Sequence, residues 1–313
     1  MNAAIRSLGP RPPPQRLSCS GFVRTRFIVN PHSSGARRVL GRVQALAATL
    51  GAKVFVTTHP RHASELATRA IEEGCELIVA VGGDGTLNEV AGRLIDTPAT
   101  LGLIPCGSGN GLGRHLGIFG PVERSLEILR TGRARMIDAG FADGHPFFTV
   151  AGLGFEAEVA ARFNQLTHRG FLRYITTSTR LWRTWAPQDC CIDDGLHRIQ
   201  LKAFTLAVAN SDQYGNRARI APGAEVDDGL LELTAVPRVT AANALPLLGR
   251  LFAGSIDRAP GVLRLQAPRF VVVRGAAGLI HTDGETHPAG ERVEFTIQPR
   301  SLRVLVPAAA TVR

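Results

Sequence analysis

The chain has 313 residues, 44% hydrophobic and 20% charged, which describes a globular protein with a full core and room for two domains. Its net charge of +10 is almost all arginine, because Lys53 and Lys202 are the only lysines. No basic run or aromatic ladder accompanies the charge. That points away from nucleic acid and leaves an anionic membrane surface, phosphorylated ligands or plain arginine bias.

Residues 1–24 are basic and Pro-rich but lack an apolar core segment, so they read as a disordered arm and not a signal peptide. No apolar run approaches the roughly 20 residues of a spanning helix, which makes a cytoplasmic protein the expectation. Five cysteines without repeated spacing argue against a disulfide framework, and no zinc motif is present.

From residue 26 the pattern alternates. Strands are expected at 26–30, 52–58, 76–83 and 100–105, with helices over about 36–50, 63–73, 86–95 and 121–131. This predicts an α/β domain with a parallel sheet over 25–145, whose ligand crevice lies at the carboxyl ends of the strands. Those ends carry Asn30-Pro31, Thr57-Thr58, the turn Gly82-Gly83-Asp84-Gly85-Thr86 and the loop "PCGSGNG" (105–111). After about 145, short β-rich runs separated by turns predict a mostly antiparallel β-rich domain over 146–307, whose last strand can return to the first domain. Two helical stretches interrupt it, near 171–186 and 241–252.

The turn at 82–86 poses a chemical question. Glycines let backbone N–H groups approach phosphate oxygens, and a helix N-terminus, with Thr86 as its cap, favours anions. Asp84 in such a cradle repels phosphate unless a divalent cation sits between them. An ordinary strand–helix turn is the other reading. A Walker A loop is excluded because neither lysine stands in a Gly-Lys-Ser/Thr context, and Leu112 breaks a dinucleotide G-x-G-x-x-G fingerprint.

The ordered series "IVNPHSSG" (28–35), "TTHPRHA" (57–63), "VGGDGTLNEV" (81–90), "LGLIPCGSGNGLGRHLGI" (101–118), "MIDAG" (136–140), "VAGLGFEAEV" (150–159), "IAPGAEVDDGLLEL" (220–233) and "TDGE" (282–285) resembles the lipid kinase family of diacylglycerol and sphingosine kinases. The resemblance implies ATP bound between the two domains, with Asn30, Pro31, Ser34, Gly35, Thr57, Gly82, Gly83, Gly85, Thr86, Ser108, Gly109 and Asn110 around it. It implies a Mg-dependent transfer of the γ-phosphoryl group to a lipid hydroxyl. Asp283 is then the candidate base, Glu285 its neighbour or alternative, and Asp84 and Asp138 carry the cation. Asp138 is expected at the end of a strand. A structural cation is implied at Glu225, Asp228 and the Leu230 carbonyl, where the plain reading is an Asp-Gly turn. Gly111 stands where many bacterial members have Asp, and Ser34 where glycine is usual.

The stretch 170–186 places Phe171, Ile175, Trp182 and Trp185 on one helical face opposite Arg173, Arg180 and Arg183. That fits a membrane interface or a core stripe with a solvated back. Glu156 and Glu158, on the strand or loop before it, are candidates to face the amine of a sphingoid base, or are solvent-exposed. His115 is a phosphate contact or a surface histidine. The expected partners are a lipid substrate and a membrane surface, with a homodimer open. Competing readings are an NAD kinase-like or other small-molecule kinase, and a catalytically silent nucleotide-binding regulator.

Overall fold

The computed structural model describes residues 24–165 and 171–308. The arm expected over 1–24 thus lies outside the described residues except for Arg24. That residue's carbonyl accepts the N–H groups of Glu76 and Leu77.

The first half runs β1 (Thr25–Val29), α1 (Ala36–Thr49), β2 (Lys53–Val56), α2 (His62–Glu72), β3 (Leu77–Gly82), α3 (Asp84–Leu94), β4 (Thr100–Pro105), α4 (Gly111–His115) and α5 (Val122–Thr131). Then come β5 (Arg133–Ala142), β6 (His145–Phe147), β7 (Val150–Gly154), α6 (Phe155–Asn164) and α7 (Phe171–Trp182). The remainder is β8 (Gln188–Asp193), β9 (Arg198–Ala203), β10 (Thr205–Ala209), β11 (Leu231–Val236), α8 (Ala244–Ala253), β12 (Leu263–Ala267), β13 (Arg269–Arg274), β14 (Gly278–Thr282), β15 (Glu285–Ala289) and β16 (Arg292–Val306).

Strands β2, β1, β3 and β4 pair in that order, all parallel, with helices on their faces. β3 is buried along its whole length, which explains its uninterrupted Leu77–Val81 run. The long β16 bridges the molecule. Its C-terminal half pairs parallel with β4 (Arg303 opposite Thr100), and its N-terminal half pairs antiparallel with β13. β5 lies antiparallel along nearly all of it, with a register shift between Gln298 and Leu302. A second sheet, ordered β12-β11-β10-β7-β14-β15, is antiparallel throughout and closes the C-terminal β-sandwich. Phe147, Phe270, Phe295, Leu206 and Ile280 fill its core.

The structure corrects four local expectations. The second strand is shorter, at 53–56. The 111–118 stretch contains the short helix α4. Asp138 sits inside β5 instead of ending a strand. Glu156 and Glu158 lie in the first turn of helix α6, not on a strand or loop. Alanine-rich "FEAEVAARFN" has helix-forming composition that the preceding β pattern masks.

Candidate active site

Three of the four strand-end loops, those after β1, β3 and β4, are tied together by hydrogen bonds. Asn30 Nδ2 donates to Thr86 Oγ1 at 3.0 Å, Gly83 N donates to Ser33 Oγ at 3.1 Å, and Ser34 Oγ donates to the Cys106 carbonyl at 3.2 Å. Asp84 fastens the first glycine turn to the second. Its Oδ2 accepts the Asn110 N–H and its Oδ1 the Gly111 N–H, both at 2.8 Å. Burial, together with the nearby Asp283 charge, pushes the Asp84 carboxyl above its ordinary range against the pull of those two N–H donors.

Close approach explains the glycines. A Cβ on Gly82 would lie 2.5 Å from Thr86 Oγ1, and one on Gly107 would lie 2.5 Å from the Gly83 Cα. A Cβ on Gly109 would come within 2.7 Å of Asp84 Oδ2, and one on Gly111 within 2.8 Å of the Tyr214 carbonyl. These glycines serve loop-on-loop packing in addition to any approach to phosphate. The N–H groups of Gly35, Gly83 and Asn110 already donate within the protein. The first-turn N–H groups of α3, which have no acceptor within the helix, are candidate anion donors. Thr86 does not cap that helix, because α3 begins at Asp84 and Thr86 sits within the first turn, buried under Asn30. Pro31 lies half-buried beside Asn30, Ser108 is exposed at the loop tip, and Thr57 is buried, its N–H on the Val29 carbonyl.

Asp283 arrives from the opposite side. Asp283-Gly284 is the two-residue turn between β14 and β15, with Thr282 opposite Glu285 and both turn residues at positive φ (51° and 90°). That is the backbone an Asp-Gly hairpin favours. Its carboxylate gathers five donors: Phe148 N (2.8 Å) and Asn88 Nδ2 (3.0 Å) on Oδ2, and Thr149 N (2.9 Å), Val150 N (3.1 Å) and the Thr149 hydroxyl on Oδ1. Glu285 is exposed, and its Oε1 stands 3.3 Å from where a Gly85 Cβ would be. Glu285 and Asp283 therefore both reach α3, at Gly85 and at Asn88, and the Asp283 charge acts on Asp84.

Asp138 does not join them. It is fully buried, accepting Arg300 N and Gly229 N at 2.7 Å each, and Asn210 Nδ2 donates to its carbonyl. Its neighbours are the loop of Glu225, Asp228 and Leu230, so the expectation that Asp84 and Asp138 share one cation is corrected. Asp138 and Asp228 are both pushed up, first by burial and then by neighbouring carboxylates, including Glu225 and Glu232 beside Asp228. Asp228 Oδ1 accepts the Leu230 N–H at 3.0 Å, and Glu225 is exposed.

The two glutamates also separate. Glu156 is wedged against Gly152, accepts the Tyr214 hydroxyl and lies 3.3 Å from His281 Nε2, without hydrogen-bond geometry at that oxygen. Glu158 lies 4.0 Å from Arg162 one turn along α6. Two residues apart on a helix, they point to different faces. Trp182 and Trp185 donate to the Val239 and Phe204 carbonyls at 3.1 and 2.9 Å, so these two are anchored in the domain. The Phe171 side chain lies outside the described residues. His115 pairs with Asp212 at 2.8 Å.

Sequence reasoning missed Ser33, Asn88 and Thr149. Asn88 stands one helical turn after Asp84 and so shares its face, a signal present in the sequence. Thr149 meets Asp283 across 134 residues, which no local pattern reveals.

This fold and crevice define a diacylglycerol kinase-like protein. A family model for the diacylglycerol kinase catalytic domain matches residues 24–142, and one for the YegS C-terminal NAD kinase β-sandwich-like domain matches 149–306. The chain belongs to this family. It is 31% identical over 261 residues to a "Probable lipid kinase YegS-like" of Pseudomonas fluorescens, covering 82% of this chain and 85% of the relative. A relative of the same name from Pseudomonas aeruginosa is 31% identical over 264 residues, with the same coverage. A crystal structure of a diacylglycerol kinase from Bacillus anthracis shares the fold with a TM-score of 0.70 at 17% identity, covering 91% of this chain and 97% of that one. No helix among the described residues is long and apolar enough to cross a membrane.

Proposed function

We propose that the chain is an ATP- and Mg-dependent lipid kinase that transfers the γ-phosphoryl group to a lipid hydroxyl, with nucleotide held by 25–145 and acceptor by 146–307. The observation that carries this reading is the approach of Asp283 and Glu285 to the first turns of α3, on which Asp84 stands. Phosphoryl transfer needs positioning, charge neutralisation and a proton acceptor. The first-turn N–H groups of α3 supply an anion site for phosphate. Asp84 holds the two glycine loops in register. Magnesium is bound through one or two carboxylates together with substrate phosphates, so Asp84 and Glu285 would hold a bound magnesium, which would neutralise phosphate charge. A second, structural cation would find its oxygens at Glu225, Asp228 and the Leu230 carbonyl.

Asp283 takes the hydroxyl proton of the acceptor. Five donors exceed the roughly four lone-pair sites of a carboxylate, so two must yield before a proton can be accepted. The Thr149 hydroxyl hydrogen can rotate away, and the longest remaining bond, from Val150 N at 3.1 Å, must open as well to leave Oδ1 able to accept. Glu156 and Glu158 diverge, so the two do not act as a pair on a cationic sphingoid head group, and a neutral acceptor such as diacylglycerol is placed first in this reading. Mixed micelles of diacylglycerol or sphingosine, and NAD as soluble acceptor, incubated with labelled ATP and magnesium, test the reading. Label is expected in diacylglycerol. Label in NAD alone, or in no acceptor, would overturn it.

A further inference from the structure

Helix α8 is apolar except for Arg250 in its last turn, a composition that belongs in a core or against a partner. Its inner side is accounted for. Leu251 packs against the Ile220/Ala221/Ala224 cluster, its carbonyl accepting the Arg219 N–H at 2.9 Å. Its outer side is not. Leu245 is 77% exposed, Leu248 49% and Phe252 42%, and no residue of the helix is buried. At positions i, i+3 and i+7 these three fall on one stripe. Pro246 and Gly249, both exposed, are poor helix formers and give that stripe no propensity rationale.

The charge around the stripe is one-sided. Between Pro237 and Val262 the chain carries Arg238, Arg250 and Arg258 against one acid, Asp257. Arg238 and Arg258, exposed, flank the two ends of the helix, while Asp257 is half-buried. The C-terminal end of α7, with exposed Arg180 and Arg183, is tied to the segment before α8 by the Trp182–Val239 hydrogen bond. An apolar stripe rimmed by arginine matches an anionic lipid surface, with side chains entering the acyl boundary and guanidinium groups on the phosphates. It does not match a second copy of this chain. Three side chains fall well short of the roughly 800 Å² per partner that a stable interface needs, and two such rims would repel each other.

We infer that the outer face of α8, with Leu245, Leu248 and Phe252, docks the protein on the surface of an anionic membrane. The inference deepens the lipid-acceptor reading above and rests on it. The face is also mechanically close to the site. The loop that bonds Leu251 through Arg219 touches the second glycine loop, where a Cβ on Gly215 would meet Gly109 at 2.9 Å. Seated this way, the kinase would meet its acceptor where the acceptor resides.

Co-sedimentation without nucleotide, using vesicles of phosphatidylcholine alone or in equal parts with phosphatidylglycerol, tests the inference apart from catalysis. The full-length chain should bind the mixed vesicles in a salt-sensitive manner. The triple variant L245Q/L248Q/F252Q should lose at least about 10-fold in binding, from the apolar area withdrawn. Its melting temperature and its turnover on a water-soluble short-chain diacylglycerol should be unchanged. R238E/R258E should weaken binding to mixed vesicles only. Failure of the wild type to bind, equal binding by the triple variant, or a concentration-dependent dimer that the triple variant abolishes would each overturn it. Absent turnover on every lipid, with α8-dependent vesicle binding intact, would instead count against the kinase reading.

Discussion

Asn88 and Asp283 are 195 residues apart in sequence and meet at 3.0 Å, joining the helix that opens the phosphate cradle to the hairpin that carries the candidate base. The same Asn88 amide also donates to the Pro146 carbonyl at 3.0 Å, so one side chain sets the spacing between the two halves of the crevice. Replacing it with alanine removes a hydrogen bond to a charged group, worth roughly 1.5–3 kcal/mol. Asn88→Ala should lower kcat about 10- to 100-fold and leave ATP affinity within about 2-fold. Titration calorimetry beside steady-state rates checks this. An equal loss in ATP affinity would place Asn88 in the nucleotide site instead.

The base assignment has its own test. Asp283→Asn should cost on the order of 10²–10⁴ in kcat. It also turns an amide NH₂ towards backbone N–H donors, so some loss of melting temperature is expected. Thr149→Val keeps the carboxylate and removes only the rotatable donor, so its fold should survive with a smaller rate loss and a shifted acid limb of the pH–rate profile. Glu285→Gln, at an exposed position, should change the magnesium requirement without destabilising the protein. A larger kcat loss in Glu285→Gln than in Asp283→Asn would transfer the role of base to Glu285.

Much of this was legible in the sequence, for a physical reason. β3 announces itself because a strand buried on both faces must be apolar throughout, and GGDGT because only glycine fits where Gly82 meets Thr86. The Asp-Gly pair at 283–284 likewise names its turn. What stayed hidden depends on distant partners. Nothing near Asp138 says that its carboxylate will accept from Gly229 and Arg300, and nothing near Glu156 points to Tyr214. The outward stripe of α8 was read as a helix, but its exposure follows only from where Leu251 docks.

The two glycine loops touch most closely at Gly83 and Gly107. Gly107→Ala would place a methyl group 2.5 Å from the Gly83 Cα, and backbone cannot yield as a side-chain tip can. Overpacking of this kind costs about 1–3 kcal/mol. Both melting temperature and ATP affinity should fall. Gly41→Ala, in α1 with open space around the added methyl, is the control and should stabilise by up to about 1 kcal/mol. Unchanged ATP affinity in Gly107→Ala would dissociate the loop contact from nucleotide binding.

The acids of the 225–230 loop give a cation-linked prediction. Burial and neighbouring carboxylates hold Asp228 above its ordinary 3.8. A folded acid with a raised pKa binds more protons than the unfolded chain, so its contribution to stability falls as pH rises from about 3.8 through the folded value. At neutral pH the charged cluster opposes folding unless a cation neutralises it. Asp228→Asn keeps the Oδ1 acceptor for Leu230 and should raise the melting temperature in chelator-treated buffer. It should also abolish the gain that magnesium or calcium gives the wild type. A lowered melting temperature in metal-free buffer would show that the cluster is not under repulsion.

His287 gives the opposite dependence on pH. Its ring stacks on His145 at 3.8 Å and 10°, and its Nε2 lies 2.9 Å from Thr282 Oγ1, next to the Asp283 turn. Burial, aided by the positive charge that His145, Arg61 and His281 can carry, lowers its pKa from 6.5 to about 4. A histidine depressed in the folded state binds fewer protons there than in the unfolded chain, so stability rises with pH across this window. In the other direction, stability is lost as pH falls from about 6.5 towards 4. Protonation would place a cation against His145, beside the contact with Thr282, one residue before the candidate base. Melting temperatures measured between pH 7 and pH 4.5 should therefore drop more steeply for the wild type than for His287→Gln, which cannot titrate but can still bond Thr282. Parallel curves for the two proteins would show that the acid sensitivity arises elsewhere.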